Sequence, residues 1–177
     1  MADRETELML LIKGGDRNAF EELYRLYQKP LVNYLFRLSW NRALAEDLRQ
    51  EVFLRLWKAA GSYEPTAKVS TYVFRIAHNL LLNEAARRRE TVLEGADAEL
   101  RQDPASDLAR RELTSAVQKA IEALPEGERE VLLLAEYSGF KYAEISEILG
   151  IPVGTVKSRM FSATQRLRDA LKGLERP

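Results

Sequence analysis

Tyr142-Ala-Glu-Ile-Ser-Glu-Ile-Leu-Gly150-Ile-Pro-Val-Gly-Thr-Val-Lys-Ser-Arg-Met160 reads as two short helices hinged at a glycine. Ile145, Ile148 and Leu149 fall on one helical face at i, i+3 and i+4. Val153, Val156, Met160 and, further on, Leu167 fall on another. Gly150 stands between them, where a helix end takes a left-handed residue and glycine does so without a steric penalty. The pattern is a helix-turn-helix, whose second helix is the one that enters a major groove. Thr155, Lys157, Ser158, Phe161, Ser162 and Gln165 point outward and can reach bases or phosphates. Arg159, Arg166 and Arg168 can reach phosphates. An ordinary helical hairpin with a solvated basic face has the same spacing; the run from Gly150 to Arg159 favours DNA.

Working outward, helices continue in both directions. One is expected from Leu108 to Leu124, stopping before Pro125, and one from Glu126 to Tyr137, stopping at Ser138-Gly139. Nearer the N-terminus, Phe20, Leu23, Tyr24, Tyr27, Leu31, Tyr34, Leu35 and Leu38 recur every three or four residues, the stripe of a buried helix face. Asn18 with Glu21 resembles a capping box. Pro30 predicts a kink or break. A second helix is expected from Ala43 to Ala60, then a turn-rich loop from Gly61 to Lys68. Ser70 or Thr71 is the expected N-cap of a third long helix reaching Arg89. From Glu90 to Asp107 periodicity fades, and Gly95, Asp97, Asp103, Pro104, Ser106 and Asp107 make an acidic, polar stretch. The expected fold is all-α: two small helical domains, 1–90 and 112–177, joined by a flexible acidic linker, 91–111.

The chain has 177 residues, 27 basic and 27 acidic, so its formal net charge is zero. Such balance argues mildly against gripping DNA unaided, because nonspecific affinity grows with the number of phosphates neutralised. The charge is uneven: net +3 over 1–90, −2 over 91–111 and −1 over 112–177. Local basic faces can still bind DNA if a large partner supplies the rest of the grip. No cysteine is present, which removes disulfides, thiolate zinc sites and cysteine nucleophiles. The single histidine, His78, cannot build a multi-histidine metal site. No secretory signal or membrane-spanning run is visible, so a cytoplasmic protein without cofactor or metal is expected. No nucleophile–base pair or phosphate loop marks an enzyme.

Two N-terminal motifs remain. Asp47-Leu-Arg-Gln-Glu51-Val-Phe-Leu-Arg-Leu-Trp57 places Asp47, Gln50, Glu51 and Leu54 on adjacent turns. This is either a solvated face or a protein-binding one, with Phe53 and Trp57 as anchors inside an acidic rim. The stretch from Lys68 to Arg89 mixes aromatic, amide and basic residues, a mix that can stack on unpaired bases and hold a phosphate backbone. Val73, Ile76, Ala77, Leu80 and Leu81 within it have core spacing, and Tyr72 and Phe74 also suit packing. His78 reads equally as a structural or a phosphate-contacting residue, and Arg87-Arg88-Arg89 as a basic grip or a solvated helix end.

Together these motifs resemble the extracytoplasmic-function sigma factors of bacterial RNA polymerase, over nearly the whole chain and in the family's order. The resemblance implies that Asp47, Gln50, Glu51, Leu54 and Trp57 bind the clamp helices of the polymerase largest subunit. It implies that Tyr63, Lys68, Ser70, Thr71, Arg75, His78, Asn79, Asn83, Arg87 and Arg88 melt and read the minus-ten element. Thr155, Lys157, Ser158, Arg159, Phe161, Ser162 and Arg166 would read the minus-thirty-five element. The segment from Leu124 to Leu134 resembles the start of that second DNA-binding region. Implied partners are core RNA polymerase (clamp helices and flap), promoter DNA and an anti-sigma protein, with the linker threading toward the RNA exit path. The chain departs from the family at Lys157 and Ser162, where arginine is frequent; lysine cannot make arginine's bidentate contact with guanine. A stand-alone dimeric regulator would leave the Asp47–Trp57 helix without a job, and a purely protein-binding adaptor would leave the recognition helix unexplained.

Overall fold

Residues 3–93 and 108–172 are described by the structure, a computed structural model, and every regular element in them is a helix. The chain divides into two units. The first contains α1 (Arg4–Lys13), α2 (Arg17–Ser39), α3 (Arg42–Ala59), a 3-10 turn (Ala60–Ser62) and α4 (Val69–Leu93). The second contains α5 (Leu108–Glu122), α6 (Glu126–Leu132), a π-helical stretch (Leu133–Tyr137), α7 (Tyr142–Leu149) except its end at Glu147–Leu149, and α8 (Val153–Leu171).

The helix α1 was not expected from the sequence, yet it is well specified. The Asp3 carboxylate accepts from the Thr6 N–H at 2.8 Å, Glu5 and Glu7 occupy the positive first turn, and Lys13 the negative last one. Its Leu8, Met9 and Ile12 are buried. The chain then turns at Gly14-Gly15, with Gly15 at φ +88°. Asp16, not Asn18, caps α2: its carboxylate accepts from the N–H groups of Asn18 (2.8 Å) and Ala19 (3.0 Å). The expected break at Pro30 does not occur. The proline removes one backbone hydrogen bond and crowds the preceding turn, but the stripe is buried on both sides of it, at Leu23, Tyr27, Leu31, Tyr34, Leu35 and Leu38. That burial holds the helix continuous. Trp40 ends α2 in the left-handed region at φ +51°. Its buried indole, edge-on to Phe36 at 5.6 Å between centroids, holds this otherwise unfavourable conformation.

Asn41 caps α3 by accepting from the Leu44 N–H at 3.0 Å. Phe53, expected as an exposed anchor, is buried and locks α3 onto α2, at 4.7 Å from Tyr24 and 6.0 Å from Phe20. Helix α4 begins at Val69, so Ser70 and Thr71 lie inside it and do not cap it. Val69, Thr71, Val73, Phe74, Ala77 and Leu80 close the core from this side.

In the second unit, the Arg129 Nη1 donates to the Glu122 carbonyl at 3.0 Å and closes the end of α5. Ile121, Leu124, Val131, Leu133 and Leu134 are buried. The Glu144 carboxylate accepts from the Lys141 N–H at 2.8 Å, half of a capping box for α7. Gly150 ends α7 at φ +65°, as the hinge required, and the Ser146 Oγ donates to the Ile151 carbonyl across the turn at 2.6 Å. The expected α7 core residues Ile145 and Ile148 are buried. On α8 the buried pair is Val156 and Ala163, while Val153, expected inside, is exposed. The acidic residues from Gly95 to Asp107 lie outside the described residues; of the expected linker, 91–93 belong to α4 and 108–111 to α5.

Candidate nucleic-acid interface

Three surfaces carry the residues singled out in the sequence. The first is the outer face of α3. Asp47, Gln50, Leu54 and Trp57 are exposed, and Glu51 is half-buried. Leu54 and Trp57 retain 53% and 38% of their surface, large values for apolar side chains, so they are available to a partner. The inner edge of the Trp57 ring packs edge-on to Phe20 at 5.1 Å, which fixes the outward part. Glu51 is already paired, with the Arg55 Nε at 2.9 Å on the next turn.

The second surface is a cleft of about 470 Å³ between the 61–68 loop and the start of α4, lined by Ser62, Tyr63, Glu64, Thr66, Ala67, Tyr72, Arg75, Ile76 and Asn79. The turns of α4 bring Tyr72, Arg75, Ile76 and Asn79 to one side at spacings of three and four. Tyr63 and Tyr72 meet at 5.9 Å between ring centroids. The Tyr63 ring is buried, and burial raises its phenol above the ordinary tyrosine range, so its hydroxyl stays neutral. The result is an aromatic wall, an amide and a guanidinium around a space suited to a planar polar ligand.

The predicted minus-ten residues do not form one cluster. Tyr63, Arg75 and Asn79 share this cleft, and Lys68 and Ser70 lie beside it in sequence at the start of α4. Asn83, Arg87 and Arg88 line a separate groove of about 750 Å³ together with Asp47, Glu51 and Arg55 of α3. There Arg87 and Arg88 pair with Glu84, at 2.9 and 3.0 Å. Thr71 and His78, 1% and 4% exposed, are core residues. Their side chains are turned into the first unit, and for His78 that burial supports the structural alternative of the two readings. Tyr72, which the sequence assigned to packing, is the aromatic side chain that the site residues omitted; its spacing of three from Arg75 was the available signal.

The third surface is α8. Lys157, Ser158 and Phe161 are exposed, Phe161 by 67%, and Thr155 and Ser162 are half-buried. The Ser158 Oγ donates to the Thr155 carbonyl at 3.0 Å, which leaves its lone pairs free to accept. Two arginines expected to hold phosphates are turned toward α6. The Arg166 Nε pairs with Glu128 at 3.1 Å. The Arg159 guanidinium lies against Gly127, where an added Cβ would fall 2.7 Å from Nη1 and 2.8 Å from Cζ. Its positive charge also favours the ionised form of the buried Glu130, against the effect of burial. Both arginines tie α8 to α6. Among the described residues, no cluster of histidine and acidic side chains could hold a metal, and no helix is long and apolar enough to cross a membrane.

Comparison with known proteins gives these surfaces a common setting. The Sigma-70 region 2 family model matches residues 23–91 and the Sigma-70, region 4 model residues 114–167. The RNA polymerase sigma-H factor of Pseudomonas aeruginosa is 30% identical over 187 residues, covering 98% of this chain and 97% of that protein. The ECF RNA polymerase sigma factor SigW of Bacillus subtilis is 32% identical over 179 residues, covering 92% and 94%. Among solved structures, the sigma factor RpoE of Bartonella quintana, in complex with the anti-sigma factor NepR, has a TM-score of 0.75 and 27% identity, covering 89% of this chain and 98% of that one. Two helical units with these matches define a transcription initiation factor of the sigma-70 class. Within that class, the chain belongs to the extracytoplasmic-function sigma factors.

Proposed function

We propose that this sigma factor docks on core RNA polymerase through the exposed face of α3 and selects promoters by trapping a base of the melted minus-ten strand in the Tyr63–Asn79 cleft. Helix α8 then reads the minus-thirty-five element as duplex. The observation that carries this reading is the cleft itself, in which a tyrosine pair, an amide and a guanidinium converge at the start of α4. Extruding a base costs a few kcal/mol of unstacking and unpairing. Stacking on an aromatic side chain returns about 1–3 kcal/mol per base, and Arg75 and Asn79 supply polar contacts to its edge and backbone. A protein inhibitor covering these faces is part of the proposal, supported by the Bartonella quintana relative being solved with an anti-sigma factor.

The test is to mix the purified chain with bacterial core polymerase, follow co-elution, and transcribe a pool of genomic promoters. Co-elution with new, discrete start sites is expected. A chain that ignores the core enzyme but binds symmetric duplex half-sites alone would overturn the reading in favour of a stand-alone regulator.

For α8, the double variant Lys157→Ala, Ser158→Ala is expected to lower transcription roughly tenfold at promoters that need the upstream element, from the loss of one or two base or phosphate contacts. Promoters dependent on the minus-ten element alone should be unaffected. An unchanged upstream footprint would refute the role of these residues.

A further inference from the structure

The loop that forms one wall of the cleft is held in a particular way. Its own bonds are short-range: the Tyr63 N–H donates to the Ala60 carbonyl at 3.1 Å, the Thr66 N–H to the Glu64 carbonyl at 2.8 Å, and the Ser62 Oγ to the Ala59 carbonyl at 2.9 Å. Such bonds shape a turn without fixing its position on the rest of the molecule. Besides the burial of the Tyr63 side chain, one bond carries the loop's backbone to another helix. The Lys13 Nζ, at the last turn of α1, donates to the Tyr63 carbonyl at 2.9 Å, across 50 residues of sequence and in a partly buried setting. Tyr63 is the residue whose buried ring backs the cleft against Tyr72. Helix α1 itself is anchored by Leu8, Met9 and Ile12, none more than 2% exposed. The chain runs from Lys13 straight into the Gly14-Gly15 turn, so the lysine backbone is fixed on both sides. Helix α1 lies outside residues 23–91, which match the region 2 family model.

We infer that Lys13 is a positioning residue for the minus-ten cleft: its ammonium clamps the Tyr63 carbonyl and holds the 61–68 loop in the strand-accepting position before DNA arrives. The inference rests on the proposed role of the cleft. Its physical content is preorganisation: a wall already ordered has less entropy to lose when a base enters. The bond is charge-assisted, the stronger kind, and removing the donor leaves a partly buried carbonyl to find water by moving the loop.

The experiment compares wild type, Lys13→Met and Lys13→Arg, each assembled with core polymerase, for retention of a fluorescent single-stranded minus-ten oligonucleotide. Lys13→Met keeps the aliphatic stem and should bind the oligonucleotide roughly tenfold more weakly, with core affinity unchanged. Lys13→Arg, which still carries donors at that reach, should recover most of the loss. Hydrogen exchange of amides 61–68 in the free chain reads the clamp without DNA, and should quicken in Lys13→Met and return toward wild type in Lys13→Arg. Equal oligonucleotide retention by all three proteins, or unchanged exchange in the loop, would overturn the inference. So would a parallel loss of core binding, which would reduce Lys13 to a fold-stabilising residue. If the wild-type holoenzyme itself fails to retain the strand, the proposed cleft function falls, and the clamp's part in it falls too; the exchange data then distinguish that failure from a loop that Lys13 never held.

Discussion

Trp57→Ala is expected to weaken binding to core RNA polymerase by roughly a hundredfold, the range of a truncated aromatic hot spot. Trp57 keeps 38% of its surface open, next to Leu54 at 53%. Around them stand Asp47, Gln50 and Glu51, the polar rim that excludes water from such an anchor. The ring is already oriented by its edge contact with Phe20, so a partner does not have to order it. Removing Gln50 and Glu51 together should cost less, about tenfold, because Glu51 must first part from Arg55. Titration of labelled chain with core enzyme measures both. Circular dichroism should show an intact helical fold, since Leu56 and Val52, not Trp57, fill the core on this helix. Undiminished affinity of Trp57→Ala would remove α3 as the docking face.

The second large effect is a pH dependence seated in α6. Glu130 is 7% exposed among the leucines of the second unit. Burial pushes its carboxyl up to about 7, the charge of Glu126 adds to the rise, and Arg159 and Arg129 oppose it. In the unfolded chain it titrates near 4.5. Between those values the folded chain holds a proton that the unfolded chain has released. Stability from this group is therefore greatest below about pH 4.5, declines as pH rises, and levels off above about 7. The full span is worth up to about 3 kcal/mol. Other carboxylates work in the opposite sense: Glu22 and Glu46 are held below the usual range by hydrogen bonds from Arg4 and Arg42, and those bonds are lost in acid. The useful measurement is thus the difference between wild type and Glu130→Gln in denaturant unfolding of the second unit. The glutamine variant should be the more stable by up to about 3 kcal/mol at pH 8 and about equal at pH 4.5. A difference that does not change with pH would mean that Arg159 neutralises a permanently ionised Glu130.

Much of the fold was legible because its signals are local. The α2 stripe from Leu23 to Leu38 and the Gly150 hinge need only spacing and backbone conformation to be read. Helix α1 shows no stripe because its apolar residues, Leu8 to Ile12, form one unbroken run; the capping Asp3 and the acidic first turn were the quieter signals. Asp16 and Asn18 are both good caps, and only the completed turn chooses between them. Pro30 signalled a kink or a break, and the chain shows no break because burial on both flanks keeps α2 continuous through it. The site was legible in residue type but not in direction. Arg159 and Arg166 lie roughly 200° and 180° round the helix from Lys157, so spacing already set them on the opposite face, and reading all three by basic type alone hid it. Thr71 and His78 carry polar side chains into the core, a tertiary fact that no spacing rule supplies. Glu130 gives the same lesson in reverse, an acid placed four residues before Leu134 on a buried face.

Helix α4 is one continuous rod that carries cleft residues at Arg75 and Asn79 and groove residues at Asn83, Arg87 and Arg88. At a rise of 1.5 Å per residue, Asn79 and Arg87 stand about 12 Å apart along its axis. The rod is in effect a gauge block, with a length and an angular phase that no side chain can adjust. Substitutions along its outer face alter what each mark on the gauge says. A single inserted residue between Asn79 and Asn83 would turn everything beyond it by about 100° and take the arginines off their groove altogether. Point changes on its outer face should therefore diversify this helix freely, while insertions and deletions within it should abolish its function even where each half still folds.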